Sequence, residues 1–342
     1  MPILRMLRYL LVLPLLLAGF RVQAQHEYLI DDFSPQYVAR IHVDNDTSGV
    51  GWIAVYDQTK QALIKLESTE LYVEPDYRRP GAAATRLPYA EQNWLISKDF
   101  NFDGRKDLAI QDGHNSCRGN VSFQVYLATP TGFAHSEAFT DLAQNYCGMF
   151  EVDAARKRIS VQQTGSWGGE ETQFSVRNNE LMVVSRYRED QSQDPFVTYS
   201  REEWNGRRLV STEWRELYPS GEEEICSFQL AENGKRVVLF ARDSTTLYYA
   251  LLRKDESVEF SYPALQAEGA QPFTLHKTGN GLILRFQNGS ARYEIRETAG
   301  GALLVTARIG AKTLNMSGAE QGKKGSLKAL LTAELENLTR QP

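Results

Sequence analysis

Short runs of alternating apolar and polar residues recur along most of this chain, separated by glycine, asparagine and aspartate turns. A period of two marks strands with one buried face. The pattern predicts strands at residues 37–42, 51–56, 62–66, 121–127, 159–163, 173–176 and 181–187. A second set falls at 226–230, 236–241, 246–252, 258–262, 281–287, 291–297 and 302–309. Asn178-Asn179, Asn205-Gly206, Asn233-Gly234 and Asn288-Gly289 lie between such runs, where a type I′ hairpin turn needs positive φ. The expected fold is all-β, with antiparallel hairpins forming a propeller-like or sandwich body. Tyr218-Pro219-Ser220-Gly221 and the acidic run Glu222 to Glu224 suggest a break between a β domain over 25–218 and a second over 225–317. After a glycine- and lysine-containing linker at 318–325, a short C-terminal helix is expected over 326–338. Ser326 would cap it, and Leu327, Leu330, Leu331, Leu335 and Leu338 would share one face.

The N-terminus reads differently. Arg5 and Arg8 precede an apolar run from Leu10 to Leu17, and Val22-Gln23-Ala24 resembles a small-residue cleavage site. Residues 1–24 are expected to be a signal peptide cut after Ala24, giving a periplasmic mature protein with no membrane span. That segment holds Arg5, Arg8 and Arg21 and no acid, so its loss makes the chain three charges more acidic than its net −5. Such a balance disfavours nucleic acid and suits a basic protein partner.

The densest chemistry lies at Asp99-Phe100-Asn101-Phe102-Asp103-Gly104-Arg105-Lys106-Asp107. Oxygen side chains alternate, a glycine follows the third, and an acid closes the loop. This pattern suits a hard cation that takes six to eight oxygens. Asp99, Asn101, Asp103 and Asp107 would supply side-chain oxygens, Arg105 its carbonyl, and Gly104 the positive-φ turn. Phe100 and Phe102 would point into a core. An EF-hand places a glutamate at position 12, but here that position is Ile110, so the loop is of a shorter kind. The expected ion is a structural calcium.

Cys117 and Cys147 both follow this loop and are the expected disulfide of an exported protein, leaving Cys226 buried and unpaired. No zinc-protease motif, nucleophile elbow or phosphate loop appears, and the five histidines are scattered. The chain is therefore expected to bind rather than catalyse. Gly165-Ser166-Trp167-Gly168-Gly169-Glu170-Glu171 would place a large ring on a hairpin tip, with Ser166 and Trp167 as partner contacts.

From Lys98-Asp99-Phe100-Asn101-Phe102-Asp103-Gly104 through Asp107-Leu108-Ala109-Ile110, Val125-Tyr126-Leu127, Phe150-Glu151-Val152-Asp153 and the strand at 181–187, the chain resembles a family of exported bacterial proteins. Its best understood members are calcium-binding immunity proteins. They neutralise lysozyme-like effectors of a type IV secretion system and are similar in fold to periplasmic inhibitors of invertebrate-type lysozymes. The resemblance implies an all-β body, bound calcium and a loop inserted into a muramidase cleft. Those inhibitors use a Ser-Gly loop with a nearby tyrosine, which Gly165-Ser166-Trp167 does not reproduce. The alternative is a calcium-stabilised glycan- or surface-binding module without inhibitory activity.

Overall fold

The computed structural model describes residues 26–44, 49–68, 70–71, 85–89, 94–218, 222–243, 245–264 and 272–342. The expected signal peptide and its cleavage site lie outside these, as do residues 219–221 of the expected break. The chain forms two compact units. One comprises Met1–Val161 and Ser175–Met182, the other Gln162–Phe174 and Val183–Pro342. The division runs through strands near residues 161–183.

In the first unit, β1 (His26–Ile30), β2 (Tyr37–Val43), β3 (Gly51–Asp57), β4 (Ala62–Ser68) and β5 (Thr85–Arg86) form a sheet ordered β4-β3-β2-β1-β5. All its pairs are antiparallel except β1 with β5. A second sheet runs β6 (Leu95–Lys98), β7 (Asp107–Gly113), β8 (Ser122–Thr129) and β9 (Gly132–His135) in chain order. Alternation buries Ile30, Ile41, Ile53 and Val55 from the first sheet against Leu95, Leu108 and Ile110 from the second. Among the described residues one α-helix interrupts the β pattern, α1 (Glu137–Gln144), which buries Phe139, Thr140, Leu142 and Ala143. The Thr140 hydroxyl accepts the Val125 N–H at 2.9 Å and so fastens α1 to β8. Cys117 and Cys147 are bonded as expected, with Cα atoms 4.7 Å apart.

β10 (Glu151–Asp153), β11 (Arg158–Gly165), β12 (Gly168–Arg177), β13 (Glu180–Asp190), β14 (Phe196–Trp204) and β15 (Leu209–Leu217) form a six-stranded sheet in chain order. The β12–β13 turn has positive φ at both Asn178 (52°) and Asn179 (64°), as a type I′ hairpin requires.

The second unit contains β16 (Glu222–Gln229), β17 (Arg236–Arg242), β18 (Thr246–Leu252) and β19 (Val258–Tyr262). Facing them are β20 (Phe273–Thr278), β21 (Gly281–Asn288), β22 (Ala291–Thr298), β23 (Leu303–Ile309) and β24 (Lys312–Ser317). β25 (Lys324–Gly325) extends the first of these sheets and β26 (Leu338–Gln341) the second. Their inner faces share one core, including Phe228, Leu239, Tyr249, Leu284, Ile295 and Val305, which is a β-sandwich. Cys226 is free and fully buried there, and burial pushes its thiol up to about 12.

The C-terminal segment departs from the expected helix. Residues Leu327–Leu331 form one 3₁₀ turn, and Leu338–Gln341 is a strand parallel to β20. The leucines are buried by the sandwich at 327, 330, 335 and 338, while Leu331 is exposed. Core burial, rather than a helical stripe, explains their spacing. Glu297 holds the turn in place: its carboxylate accepts the Leu327 N–H and the Ser326 hydroxyl at 2.7 Å and pairs with Lys323 at 2.8 Å. The expected linker is likewise structured, because Lys324–Gly325 pairs with β16.

Candidate functional site

The Asp99–Asp107 loop joins β6 to β7, whose pairing ends at Lys98 opposite Asp107. Its oxygens turn toward the loop's own backbone. The Asp99 carboxylate accepts the N–H groups of Asp103 (3.2 Å) and Gly104 (2.9 Å). Asn101 Oδ1 accepts Asp103 N–H, and Asp103 Oδ1 accepts Arg105 N–H. Asn101 Nδ2 donates to Asn179 Oδ1 at 2.8 Å, tying the loop to the β12–β13 turn. Asp107 is fully buried, and its two oxygens accept Phe100 N–H (2.7 Å) and Ala128 N–H (2.8 Å).

Burial pushes the Asp107 carboxyl up to about 6, against the lowering effect of the Ala128 and Phe100 N–H groups. The negative charge of Asp103 adds to the upward push. No described lysine, arginine or histidine pairs with Asp99, Asp103 or Asp107. The donor set is therefore all oxygen, anionic and uncompensated, which is the chemistry a calcium ion takes. Among the described residues, no three acidic, histidine or cysteine side chains gather closely enough to hold an ion as they stand. Ion uptake would require Asp99 and Asp103 to share their oxygens with the metal as well as with backbone N–H groups.

Gly104 takes φ 89°, as the sequence suggested, and Phe102 takes φ 62° as well. Phe100 is buried and meets Phe150 edge-on at 5.2 Å. Phe102 is only half-buried, and its left-handed backbone breaks the strict alternation that would place it in a core.

The second predicted site lies in the other unit. Ser166 and Trp167 form the two-residue turn between β11 and β12, and both are exposed. Trp167 has 67% of its surface accessible. Its carbonyl accepts Gln191 N–H at 2.7 Å, so the tip is fixed while the ring is free. Gly168 is required here: a Cβ would lie 2.0 Å from the Glu189 carbonyl, and φ is 141°. Trp167, Glu170, Glu189 and Asp190 line one shallow hollow. Glu170 is neutralised by Arg188 at 2.6 Å and Arg186 at 3.1 Å, whereas Glu189 and Asp190 form no salt bridge with a described residue, although Arg188 in the same hollow attracts Asp190.

Sequence reading missed this acidic rim, because Glu189 and Asp190 lie about twenty residues from Trp167 and only strand pairing brings them together. It also missed α1, although Phe139, Leu142 and Ala143 carry an i, i+3, i+4 signal.

No protein-family profile matches the chain, and no curated protein matches it. Among solved structures, a Xanthomonas type IV secretion system related protein matches at 17% identity and a TM-score of 0.41, over 57% of this chain and 96% of that one. A mutant Aleuria aurantia lectin in complex with α-methyl-L-fucoside matches at 9% identity and a TM-score of 0.17, over 87% of this chain and 95% of the lectin. The same lectin mutant with Fucα1-6GlcNAc gives 9% identity and 0.17, over 87% and 96%. TM-scores this low bear on neither chemistry nor partners.

Proposed function

We propose that this chain is an exported, calcium-stabilised binding protein that neutralises a basic, lysozyme-like peptidoglycan hydrolase. The observation that carries the reading is Trp167, a large ring held out on a fixed hairpin tip beside Glu189 and Asp190, which form no salt bridge with a described residue. A ring left this exposed contributes little to folding, and aromatic tips are typical interface anchors. Burying the accessible part against a partner removes on the order of 150 Å² of apolar surface, about 3–4 kcal/mol. Glu189 and Asp190 would steer a basic partner toward it. Calcium on Asp99, Asn101, Asp103, Arg105 and Asp107 would supply positive charge to neutralise the loop's carboxylates and rigidify the β6–β7 hairpin.

Inhibition assays of the pure mature protein against a panel of muramidases, including any encoded beside it, test the proposal. The expected result is stoichiometric inhibition of at least one enzyme. Trp167→Ala should weaken it at least 100-fold with an unchanged melting temperature. Absence of inhibition across the panel would refute the inhibitor reading. Retention on peptidoglycan that Trp167→Ala abolishes would instead identify a glycan-binding module.

A further inference from the structure

The outer face of β21–β23 carries an arrangement that neither calcium nor the Trp167 hairpin explains. β-register places Arg292 directly opposite Arg308. Like charges opposed on one sheet face repel. Neither arginine forms a salt bridge with a described carboxylate, and the chain as a whole is acidic. The acid beside them is already engaged: Glu294 accepts Arg285 Nε at 3.0 Å through one oxygen and Arg296 Nη2 at 2.9 Å through the other.

These groups border a hollow of about 470 Å³. Its polar lining is Arg285, Arg292, Arg308, Thr274, Thr306 and Gln287, with Glu294 as its one acid. The volume lies in the range of small-molecule sites. Three guanidinium groups against one carboxylate leave an excess of positive charge within a single concavity. A guanidinium offers paired N–H donors that match the oxygens of a phosphate or carboxylate. Thr274 and the second amide hydrogen of Gln287 add neutral donors suited to hydroxyl groups, while the Thr306 hydroxyl, which donates to Asn315 Oδ1, is left to accept.

We infer that this hollow on β21–β23 binds an acidic sugar through its oxyanion, with Arg292 and Arg308 gripping the charged group. The opposed arginines are then a local cost to folding that the bound anion relieves. This site is independent of the hydrolase reading, since it uses no residue of the Trp167 hairpin or the Asp99–Asp107 loop.

Titration calorimetry of the full mature chain with glucose 1-phosphate, glucuronate and neutral glucose tests it. Saturable binding of at least one charged sugar and none of glucose is expected. The charged sugar that binds identifies the group as phosphate or carboxylate. The double variant Arg292→Gln/Arg308→Gln should lose at least tenfold in affinity while its melting temperature stays level or rises, which separates lost binding from unfolding. Arg308→Lys, which keeps the charge but not the fork, should fall between the two. Failure of both charged sugars to bind the wild type, equal binding of glucose, or unchanged affinity in the double variant would overturn the inference.

Discussion

Asp107 shows how closely the β6–β7 loop depends on one side chain. Its two oxygens close the hairpin by accepting Phe100 N–H from the loop and Ala128 N–H from the end of β8. Asp107→Ala leaves both donors without an acceptor. The Phe100 donor is buried, and orphaning such a group costs about 1–3 kcal/mol. The Ala128 donor is half-buried and costs less, so the total should be about 2–4 kcal/mol. A unit of this size shifts by about 2–4 °C per kcal/mol, so its melting temperature should fall by roughly 5–15 °C. Asp107→Asn keeps one acceptor oxygen but turns an amide N–H₂ toward the other donor, and should lose about half as much. Scanning calorimetry in the presence of chelator isolates this effect from any ion. A melting temperature for Asp107→Ala within 1 °C of wild type would refute the hydrogen-bond reasoning.

Glu297 and the disulfide offer two further tests. Burial alone would raise the Glu297 carboxyl, but Lys323, Ser326 and the Leu327 N–H hold it below its ordinary 4.5. Its stabilisation is therefore complete above about 4.5 and fades as pH falls through the lower folded value. Glu297→Ala leaves Lys323 and the 3₁₀ turn without their partner and should cost about 3–5 kcal/mol at pH 7, measured by urea unfolding. Glu297→Gln should flatten the acid limb of the stability profile. Reducing the Cys117–Cys147 bond, which closes a separation of 30 residues, should cost about 3–4 kcal/mol by loop-closure entropy. An unchanged melting temperature in reductant would argue against that estimate.

The strands were legible because alternation and burial coincide in them: β2 buries Ala39, Ile41 and Val43 and exposes Arg40, as a period of two demands. The Cys117–Cys147 bond was legible from its place in the chain. The C-terminal helix misled because leucines three and four apart satisfy a helical stripe, yet the sandwich core buries four of them from a 3₁₀ turn, the segment after it and a strand. Turn chemistry was legible only in part. Asn178-Asn179 takes positive φ at both residues, whereas Asn205-Gly206 and Asn288-Gly289 take it only at glycine. The Trp167 tip was visible as a motif, but the acids beside it depend on β11–β13 neighbours distant in sequence. The Arg292 and Arg308 opposition follows from register, which alternation alone does not set between strands.

Calcium binding by residues 99–107 is the claim that separates a metal-stabilised protein from a self-capped loop, and calorimetric titration of the mature protein with calcium tests it most directly. The expected result is one saturable site in the wild type, a calcium-dependent rise in melting temperature by linkage, and loss of both in Asp103→Ala. No heat of binding and identical melts with calcium and with chelator would reduce Asp99–Asp107 to a self-capped turn and remove the metal from the account.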